Sequence, residues 1–563
     1  YNGAQKVDLN VVEATNNIVL NSVGIEVTKA KIQTTKQDIP LEVNYIEEDE
    51  KIVFESQETL SEGVYELYLE FNSEITNDLK GFYKSSYMSE DGEKKWIATT
   101  QFEPTAARSA FPCWDEPEYK AIFSMTIITD EKYLRVSNEM VVEEEKVENN
   151  KLRTKFADSM KMSSYLVAFV IGDLEATVVG KSKTTDIRII HRPGFSHQTS
   201  YAGTAAIKLL DFFEDYYKIP YPGTKLDLIA IPDFAMGAME NVGAVTFREN
   251  LLLFDKDKAT RSELDRSITV IAHELAHMWF GDLVTMKWWD GIWLNEAFAS
   301  LMEVIASYNT YPEFKQWNAM NMSRTAGFSI DSLENSRPVE FDVETPDQAE
   351  EMFDVLTYEK GSTVLRMFQM FIGEEAFQNG VEAYLNKFKF ENTNSSDLWD
   401  ALSEASNQPL NKILPFWIRE KGYPFLQVDC SNNFLTIKQK PFLLKNVETD
   451  KNNIKPVPVQ IKFLDTGNEE KFLLDEAERV IDLKNLGEVP HINSGGWGFF
   501  HTFYDDEVFE NILANFDKLN DLEKYRLLED KWMQFKKAPT DIKDFYKFLM
   551  FFKKEKDEDI WIY

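Results

Sequence analysis

Cysteine is almost absent from this chain. Only two occur among its 563 residues, Cys113 and Cys430, and they lie far apart in the sequence. A framework of several disulfides is therefore excluded, and proteins without one are typical of reducing compartments. The sequence predicts a cytoplasmic location on this ground.

Long apolar runs are absent, and basic residues are fewer than acidic ones. No uninterrupted apolar run reaches the roughly 20 residues that a transmembrane helix requires, so no membrane span is predicted. Basic residues are outnumbered, with 61 Lys and Arg against 95 Asp and Glu and a formal net charge of −34. An excess of negative charge disfavours binding to nucleic acid or to an anionic membrane. The 43% content of hydrophobic residues still suffices for globular cores, and the length favours several domains.

Histidine is also scarce, yet two of the six histidines share one short motif. His273 and His277 are four residues apart, so on a helix both can face one metal ion, and Glu274 lies between them. Glu296 belongs to a second predicted helix, Trp293–Ala306, and completes a set of two imidazoles and a carboxylate. Such a set leaves one zinc position open for chemistry. With Glu274 as general base, the motif predicts a hydrolase with one Zn²⁺ per chain.

A second constellation precedes the zinc motif. The segment Gly237–Asn241 lies between two predicted strands, Leu226–Ile231 and Val242–Phe247, and a strand of small residues at a sheet edge can pair with an extended peptide. Glu240 could then accept hydrogen bonds from a substrate ammonium group, with Glu103 as a second carboxylate. The two would limit cleavage to the first peptide bond. The candidate substrate-binding residues of the segment are Gly237, Ala238, Met239, Glu240 and Asn241.

Changes in periodicity divide the chain into four predicted domains. Residues 1–171 alternate in polarity and predict an antiparallel β domain, and residues 172–423 are mainly helical. Residues 424–506 return to strands and predict a small β-sandwich, while residues 507–563 are helical again. The fold class expected is multidomain α+β.

Local patterns add finer expectations. The acidic runs Glu47–Glu50 and Glu143–Glu145 lie between strand-like segments and predict solvated hairpin turns. The apolar run Tyr165–Ile171 predicts a strand. Helical periodicity is clear in Ala202–Tyr217 and in Gly361–Ile372.

Taken together, these motifs resemble the M1 family of zinc aminopeptidases, gluzincins with a thermolysin-like catalytic domain. The similarity favours the puromycin-sensitive and tricorn-interacting-factor branch. It implies a thermolysin-like domain at residues 172–423 and the beginning of a larger helical domain at residues 507–563. It also implies that the natural chain extends beyond both ends of this one. The segments that carry the resemblance are residues 101–117, 237–241, 273–277 with Glu296, 279–290, 293–299 and 353–361.

The resemblance further implies roles for individual residues. Tyr358 would donate a hydrogen bond to the oxyanion, and Gln101 would assist the two carboxylates in binding the α-amino group of a peptide with a free N-terminus. Residues 238–239 would border the first side-chain pocket. Asn295 and Asp282 would support the zinc ligands. Arg337 stands where many members have histidine.

Three alternatives remain open. A thermolysin-like endopeptidase shares the zinc ligands but has no need for the amine-binding carboxylates. A hydrolase that opens lipid epoxides uses the same scaffold with a long apolar tunnel. A non-catalytic scaffold would have lost the zinc ligands, the base or the tyrosine, all of which are present here. The sequence does not indicate an oligomeric state.

Overall fold

The computed structural model describes residues 1–34, 37–445, 454–539 and 541–562. The chain divides into two compact units. The first contains Tyr1–Trp289, Thr345–Glu350 and Phe388–Asn392, and the second contains Asp290–Glu344, Glu351–Lys387 and Thr393–Tyr563. The four-domain division expected from periodicity stays a prediction.

The N-terminal part of the first unit consists of antiparallel sheets. They have six strands (order β1-β6-β3-β4-β5-β2), four strands (β10-β13-β8-β7) and three strands (β11-β12-β9). In β6, alternate side chains such as Leu67 and Leu69 are buried, because successive residues of a strand face opposite sides. The antiparallel character expected for this part is confirmed. Its strands are β1 (Asn2–Val11), β2 (Thr15–Asn21), β3 (Glu26–Gln33), β4 (Ile39–Ile46), β5 (Lys51–Leu60), β6 (Gly63–Asn72), β7 (Gly81–Met88), β8 (Lys94–Gln101), β9 (Thr126–Asp130), β10 (Leu134–Ser137), β11 (Val141–Val147), β12 (Lys151–Phe156) and β13 (Phe169–Gly172).

Two local expectations are corrected. The acidic run Glu143–Glu145 lies inside β11 and pairs with β12, so the hairpin turn predicted there is wrong. Nearly every residue of β11 is exposed, and an exposed strand lacks the alternation that identifies strands from sequence. The run Tyr165–Ile171 is a strand only from Phe169, because Ser164–Leu166 form a 3₁₀ turn. The other acidic run, Glu47–Glu50, does form the turn between β4 and β5.

A mixed sheet follows, in the order β14-β15-β16-β18-β17. The strands β15, β16 and β18 are parallel, and every residue of β16 is buried, as in sheets covered on both faces. The short strand β17 is antiparallel to β18 and forms the edge. The strands of this region are β14 (Glu175–Ser182), β15 (Thr185–His191), β16 (Lys225–Ile231), β17 (Ala238–Met239), β18 (Ala244–Arg248), β19 (Thr285–Met286) and β20 (Asn392–Thr393).

Helices dominate much of the remaining chain. Those predicted at 202–217, 293–306 and 361–372 are confirmed. None of the helices in the described ranges combines the length and the apolar character needed to cross a bilayer. The helices are α1 (Ser200–Tyr217), α2 (Arg261–His277), α3 (Ile292–Thr310), α4 (Gln316–Asp331), α5 (Pro346–Glu351), α6 (Gly361–Ile372), α7 (Glu374–Lys387), α8 (Ser395–Ser406), α9 (Leu410–Ile413), α10 (Pro415–Ile418), α11 (Asp506–Ala514), α12 (Asp521–Lys537), α13 (Ile542–Leu549) and α14 (Glu558–Ile562).

The second unit also contains two small sheets, β25-β22-β21-β27 and β24-β23-β26, in the region predicted as a β-sandwich. Helices follow from Asp506, as expected. The strands are β21 (Tyr423–Ser431), β22 (Phe434–Phe442), β23 (Val457–Phe463), β24 (Glu469–Leu474), β25 (Glu478–Asp482), β26 (Pro490–Ile492) and β27 (His501–Tyr504).

The turn between β17 and β18 is held against β10. Gly243 has a φ of +70°, and an added Cβ would lie 2.1 Å from the carbonyl oxygen of Asn138. The Lys225 ammonium donates to the Gly243 oxygen at 2.6 Å and to the Ser137 oxygen at 2.8 Å. The Asn138 amide donates to the Val242 oxygen at 2.9 Å. Only glycine fits this turn, which fixes the edge strand that precedes it.

We expect Gly243→Ala to destabilise the protein more than Gly24→Ala. Gly24 has a similar φ of +65°, but nothing lies within 4 Å of its added Cβ. Both substitutions pay about 1–2 kcal/mol for the left-handed conformation, and only Gly243→Ala adds the collision with Asn138. The thermal unfolding midpoints of the two variants measure the difference. Equal midpoints would mean that the turn relaxes freely.

Candidate active site

The helix α2 carries the predicted zinc motif. It begins with a capping box, in which the Glu263 N–H donates to Thr260 Oγ1 at 3.2 Å and the Thr260 N–H donates to the Glu263 carboxylate at 2.8 Å. The apolar run 267–272 is buried. The helix is thus fixed at its exposed beginning and in its middle, which sets the position of the last turn.

The two histidines occupy that last turn. The ring centroids of His273 and His277 are 4.7 Å apart. His277 Nδ1 lies 3.0 Å from the carbonyl oxygen of Phe280, which can only accept, so Nδ1 carries the proton. The lone pair of His277 then lies on Nε2, which is the nitrogen that a metal would use. Glu274, between the histidines, is buried.

Two carboxylates lie beside the histidines in the first unit. Carboxylate oxygens of Glu103 and Glu240 lie within 4.8 Å of each other. Glu240 Oε1 lies 3.8 Å from His277 Nδ1, so the glutamates and the histidines of α2 form one group. Glu296 lies on α3 in the second unit, and its role as the third ligand stays a prediction. Two imidazole nitrogens and one carboxylate oxygen are a donor set that suits zinc.

These carboxylates are removed from water. Glu103 and Glu240 are 8% and 3% exposed. Two carboxylates this close repel each other in a low-dielectric environment and attract positive charge. A divalent metal and a substrate ammonium group both bring positive charge and therefore suit this pair.

Gln101 lies at the end of β8, next to this cluster in sequence. Its amide Nε2 donates to the sulfur of Met239 at 3.4 Å, and both side chains are buried. Within the described part of the chain its Oε1 accepts no hydrogen bond. The amide oxygen can therefore accept a hydrogen bond from a ligand, and its role in amine binding stays a prediction.

The edge strand β17 keeps one side for pairing. Ala238 is paired with Phe247, and Met239 with Thr246, along one side only. Among the described residues no strand pairs with the other side. An extended peptide can add to such an edge through its backbone.

Asn241 and Gly237 shape the strand ends. The Asn241 amide donates to Thr246 Oγ1 at 3.2 Å and points towards the Ala244 oxygen at 3.4 Å. The Gly237 oxygen accepts from the Arg248 N–H at 2.9 Å. These contacts hold the backbone of the segment, and the contact of either residue with a substrate stays a prediction.

Tyr358 lies in a single π-helical turn, Leu356–Lys360, directly before α6. An added Cβ on Gly361 would lie 2.5 Å from the Cβ of Ala297. This glycine therefore lets the turn approach α3 beside Glu296. Turns of this type are often found at functional sites. The sequence pattern that predicted the helix at 361–372 did not indicate this π-helical turn.

A lysine that sequence reasoning missed, Lys120, contacts the loop after α2. The Lys120 amine donates to the backbone oxygens of Asp282 at 3.2 Å and Leu283 at 3.3 Å. Burial lowers the pKa of Lys120 to about 7. Burial, and then the charge of Glu240, raise the pKa of Asp282 well above its usual range. The Asp282 N–H donates to the His277 backbone oxygen at 3.0 Å, and a supporting role of its carboxylate for the zinc ligands stays a prediction. No sequence signal distinguishes Lys120 from other lysines.

Two family models match the chain. The Peptidase M1 N-terminal domain matches residues 1–166, and the Peptidase family M1 domain matches residues 201–417. Together they include each residue predicted at the site.

Curated relatives agree. Aminopeptidase M1-A of Oryza sativa subsp. japonica is 37% identical over 546 residues, covering 94% of this chain and 62% of the relative. Puromycin-sensitive aminopeptidase of Caenorhabditis elegans is 35% identical over 575 residues, covering 100% and 61%. Alanine/arginine aminopeptidase of Saccharomyces cerevisiae is 35% identical over 574 residues, covering 100% and 66%. The chain thus spans less than two thirds of the length of these relatives.

We expect the stability that depends on Lys120 to rise with pH. Its pKa is about 7 in the folded chain against an ordinary value of 10.5, so between these values the unfolded chain binds more protons. The contribution is constant below pH 7 and increases from there towards pH 10.5. Thermal midpoints at pH 6.5 and pH 9.5 measure it, compared with Lys120→Met, which lacks the amine.

The Lys120→Met comparison needs a control for lost charge. Lys287, whose side chain is 48% exposed, serves for this as Lys287→Met. The difference between wild type and Lys120→Met should favour wild type more at pH 9.5 than at pH 6.5. A difference that does not change with pH would contradict the lowered pKa.

Proposed function

The chain belongs to peptidase family M1, and on that premise we propose that it is a zinc-dependent aminopeptidase that removes N-terminal residues from peptides. The observation that carries the proposal is the position of Glu103 and Glu240 beside the histidines of α2 in the first unit. The carboxylate oxygens of the two glutamates lie within 4.8 Å of each other, and Glu240 Oε1 lies 3.8 Å from His277 Nδ1. The histidines suit a metal, and the carboxylates suit the free amine that distinguishes an aminopeptidase substrate.

The metal would be held by His273, His277 and Glu296. The fit is supported by the residue types, two imidazoles and a carboxylate, and by the tautomer of His277, whose Nδ1–H donates to the Phe280 oxygen so that the lone pair lies on Nε2. When bound, zinc activates a water molecule and polarises a carbonyl group.

The chain's own residues would move the protons. Glu274, buried between the histidines, would accept a proton from the attacking water and return it to the leaving amine. Tyr358 would donate a hydrogen bond to the carbonyl oxygen as negative charge develops there. A phenol suits this task because it remains protonated near neutral pH.

Substrate binding would use the amine and the backbone. Glu103 and Glu240 would bind the α-ammonium group, with Gln101 Oε1 as a third acceptor. The unpaired side of β17 would pair with the peptide backbone, while Ala238 and Met239 border the first side chain. This arrangement fixes the distance between the amine and the bond cut. An endopeptidase has no use for such a carboxylate pair, which favours the exopeptidase.

The proposed cellular location depends on the cysteine content and not on the site. A cytoplasmic location is proposed from the scarcity of cysteine, and both cysteines are free thiols in the structure. The shared family favours peptides with free N-termini as partners.

Hydrolysis of a leucyl substrate with a fluorescent amine tests the proposal. We expect release from the free-amine substrate and none from its N-acetylated form, because acetylation removes the cation that Glu103 and Glu240 bind. A zinc chelator should abolish the release, and added Zn²⁺ should restore it. Equal hydrolysis of the two substrates would favour an endopeptidase, and activity that resists chelation would contradict the metal.

Glu274→Gln should retain zinc and lose turnover. The amide keeps the shape of the side chain but cannot accept a proton, so we expect kcat to fall by about 10²–10⁴-fold. Metal analysis and kcat measured on the same preparation separate the two effects. Glu274→Asp, which keeps a carboxylate at a different reach, should retain more activity. Near-normal turnover of Glu274→Gln would remove this residue from the mechanism.

A further inference from the structure

We infer that Arg337 and Asp354 form a positioning pair that fixes the π-helical turn presenting Tyr358, so that turnover depends on an ion pair that does not touch the substrate. The inference deepens the proposed function and depends on it for the role of the Tyr358 hydroxyl. The pair and the turn all lie in the second unit, at residues 337 and 354–360.

Hydrogen bonds from Arg337 connect residues 338–339 with residues 354–357. Its Nη1 donates to the backbone oxygens of Pro338 at 2.6 Å and Val339 at 3.2 Å. Its Nη2 donates to Asp354 Oδ1 at 2.6 Å and to Thr357 Oγ1 at 3.2 Å. The planar guanidinium thus satisfies four acceptors at once, which the point charge of a lysine would not reproduce.

Asp354 holds the beginning of the turn. Its Oδ1 accepts from the N–H groups of Leu356 at 2.9 Å and Thr357 at 3.1 Å. Its backbone oxygen accepts from the Tyr358 N–H at 3.1 Å. One aspartate therefore fixes three consecutive N–H groups, the last of them that of the proposed catalytic tyrosine. Capping of this kind satisfies the donors that a helical turn leaves without partners.

The other end of the turn is fixed by a buried ion pair. The Lys360 ammonium lies 2.8 Å from Asp331 Oδ2, and both side chains are 0% exposed. Asp331 Oδ1 accepts from the Gly422 N–H at 2.8 Å and from Ser336 Oγ at 2.7 Å. In the sequence, Tyr358 thus lies between Asp354 and Lys360, one residue of each ion pair, so its backbone is held on both sides.

The Arg337–Asp354 pair affects the geometry of the turn more than the stability of the fold. The Arg337 and Asp354 side chains are 23% and 38% exposed. A pair this open to solvent contributes about 1 kcal/mol or less to stability. Its effect on geometry is larger, because a misplacement of about 1 Å can cost about 10²-fold in rate. A loss of activity without a matching loss of stability is the expected signature.

A double-mutant cycle tests the inference. We expect Asp354→Ala to lower kcat on the leucyl substrate by about 10- to 100-fold, with a much smaller change in KM. In a Tyr358→Phe background, which lacks the hydroxyl, the same change should have little further effect, because the two residues act as one unit. Asp354→Asn keeps the acceptors for the N–H groups and should fall between wild type and Asp354→Ala.

A second measurement does not depend on activity. Hydrogen exchange of the peptide that covers residues 354–361 should be faster in Asp354→Ala and in Arg337→Met than in wild type, with a small change in thermal midpoint. Glu476→Gln, which breaks the surface ion pair with Arg479, is the control and should change neither exchange nor kcat.

The outcomes separate the inference from the proposed function. Equal losses of kcat in both backgrounds, or unchanged exchange in the 354–361 peptide, would overturn the positioning role. If wild type releases no amine from the leucyl substrate, the proposed function fails. Hydrogen exchange of the 354–361 peptide then still decides whether the Arg337–Asp354 pair fixes the turn.

Discussion

Buried negative charge is the constraint on which the site depends. The carboxylates of Glu103 and Glu240 approach each other within 4.8 Å, and both are buried. Like charges at such distances repel strongly where the local dielectric is low. Burial, and then the charge of Glu240, raises the pKa of Asp282 well above its usual range. Positive charge reduces the repulsion between carboxylates, so this part of the first unit suits a substrate amine next to a metal.

Long helices and strands form the core, whereas short irregular segments contain or position several of the predicted site residues. The strand β16 is buried along its whole length, and α2 is capped and packed before it reaches the histidines. The segments that contain or position the predicted site residues are a strand of two residues, a left-handed turn at Gly243 and one π-helical turn. Each is held by hydrogen bonds between particular residues and not by the repeating backbone pattern of a long helix or sheet. Such segments persist only because rigid neighbours determine their geometry.

Sequence predicted those parts of the molecule that depend on local spacing. The histidines of α2 and the limits of α6 follow from helical periodicity, which neighbouring residues determine. The acidic strand β11 was missed because it is exposed on both faces and its identity depends on pairing with β12. The π-helical turn and the contacts of Lys120 also depend on residues distant in sequence. A single sequence does not reveal such pairings.

The two ion pairs beside Tyr358 show how stability and geometry can be set independently. Removing one partner of the buried Lys360–Asp331 pair would leave a charge without solvent, at a cost of about 3–5 kcal/mol. That position therefore tolerates little change. The half-exposed Arg337–Asp354 pair carries a much smaller stability cost, so its residues can vary without unfolding the chain. Arg337 is also the position at which the family resemblance implies a histidine. At this position the fold permits a change in how the turn is held, because the cost in stability is small.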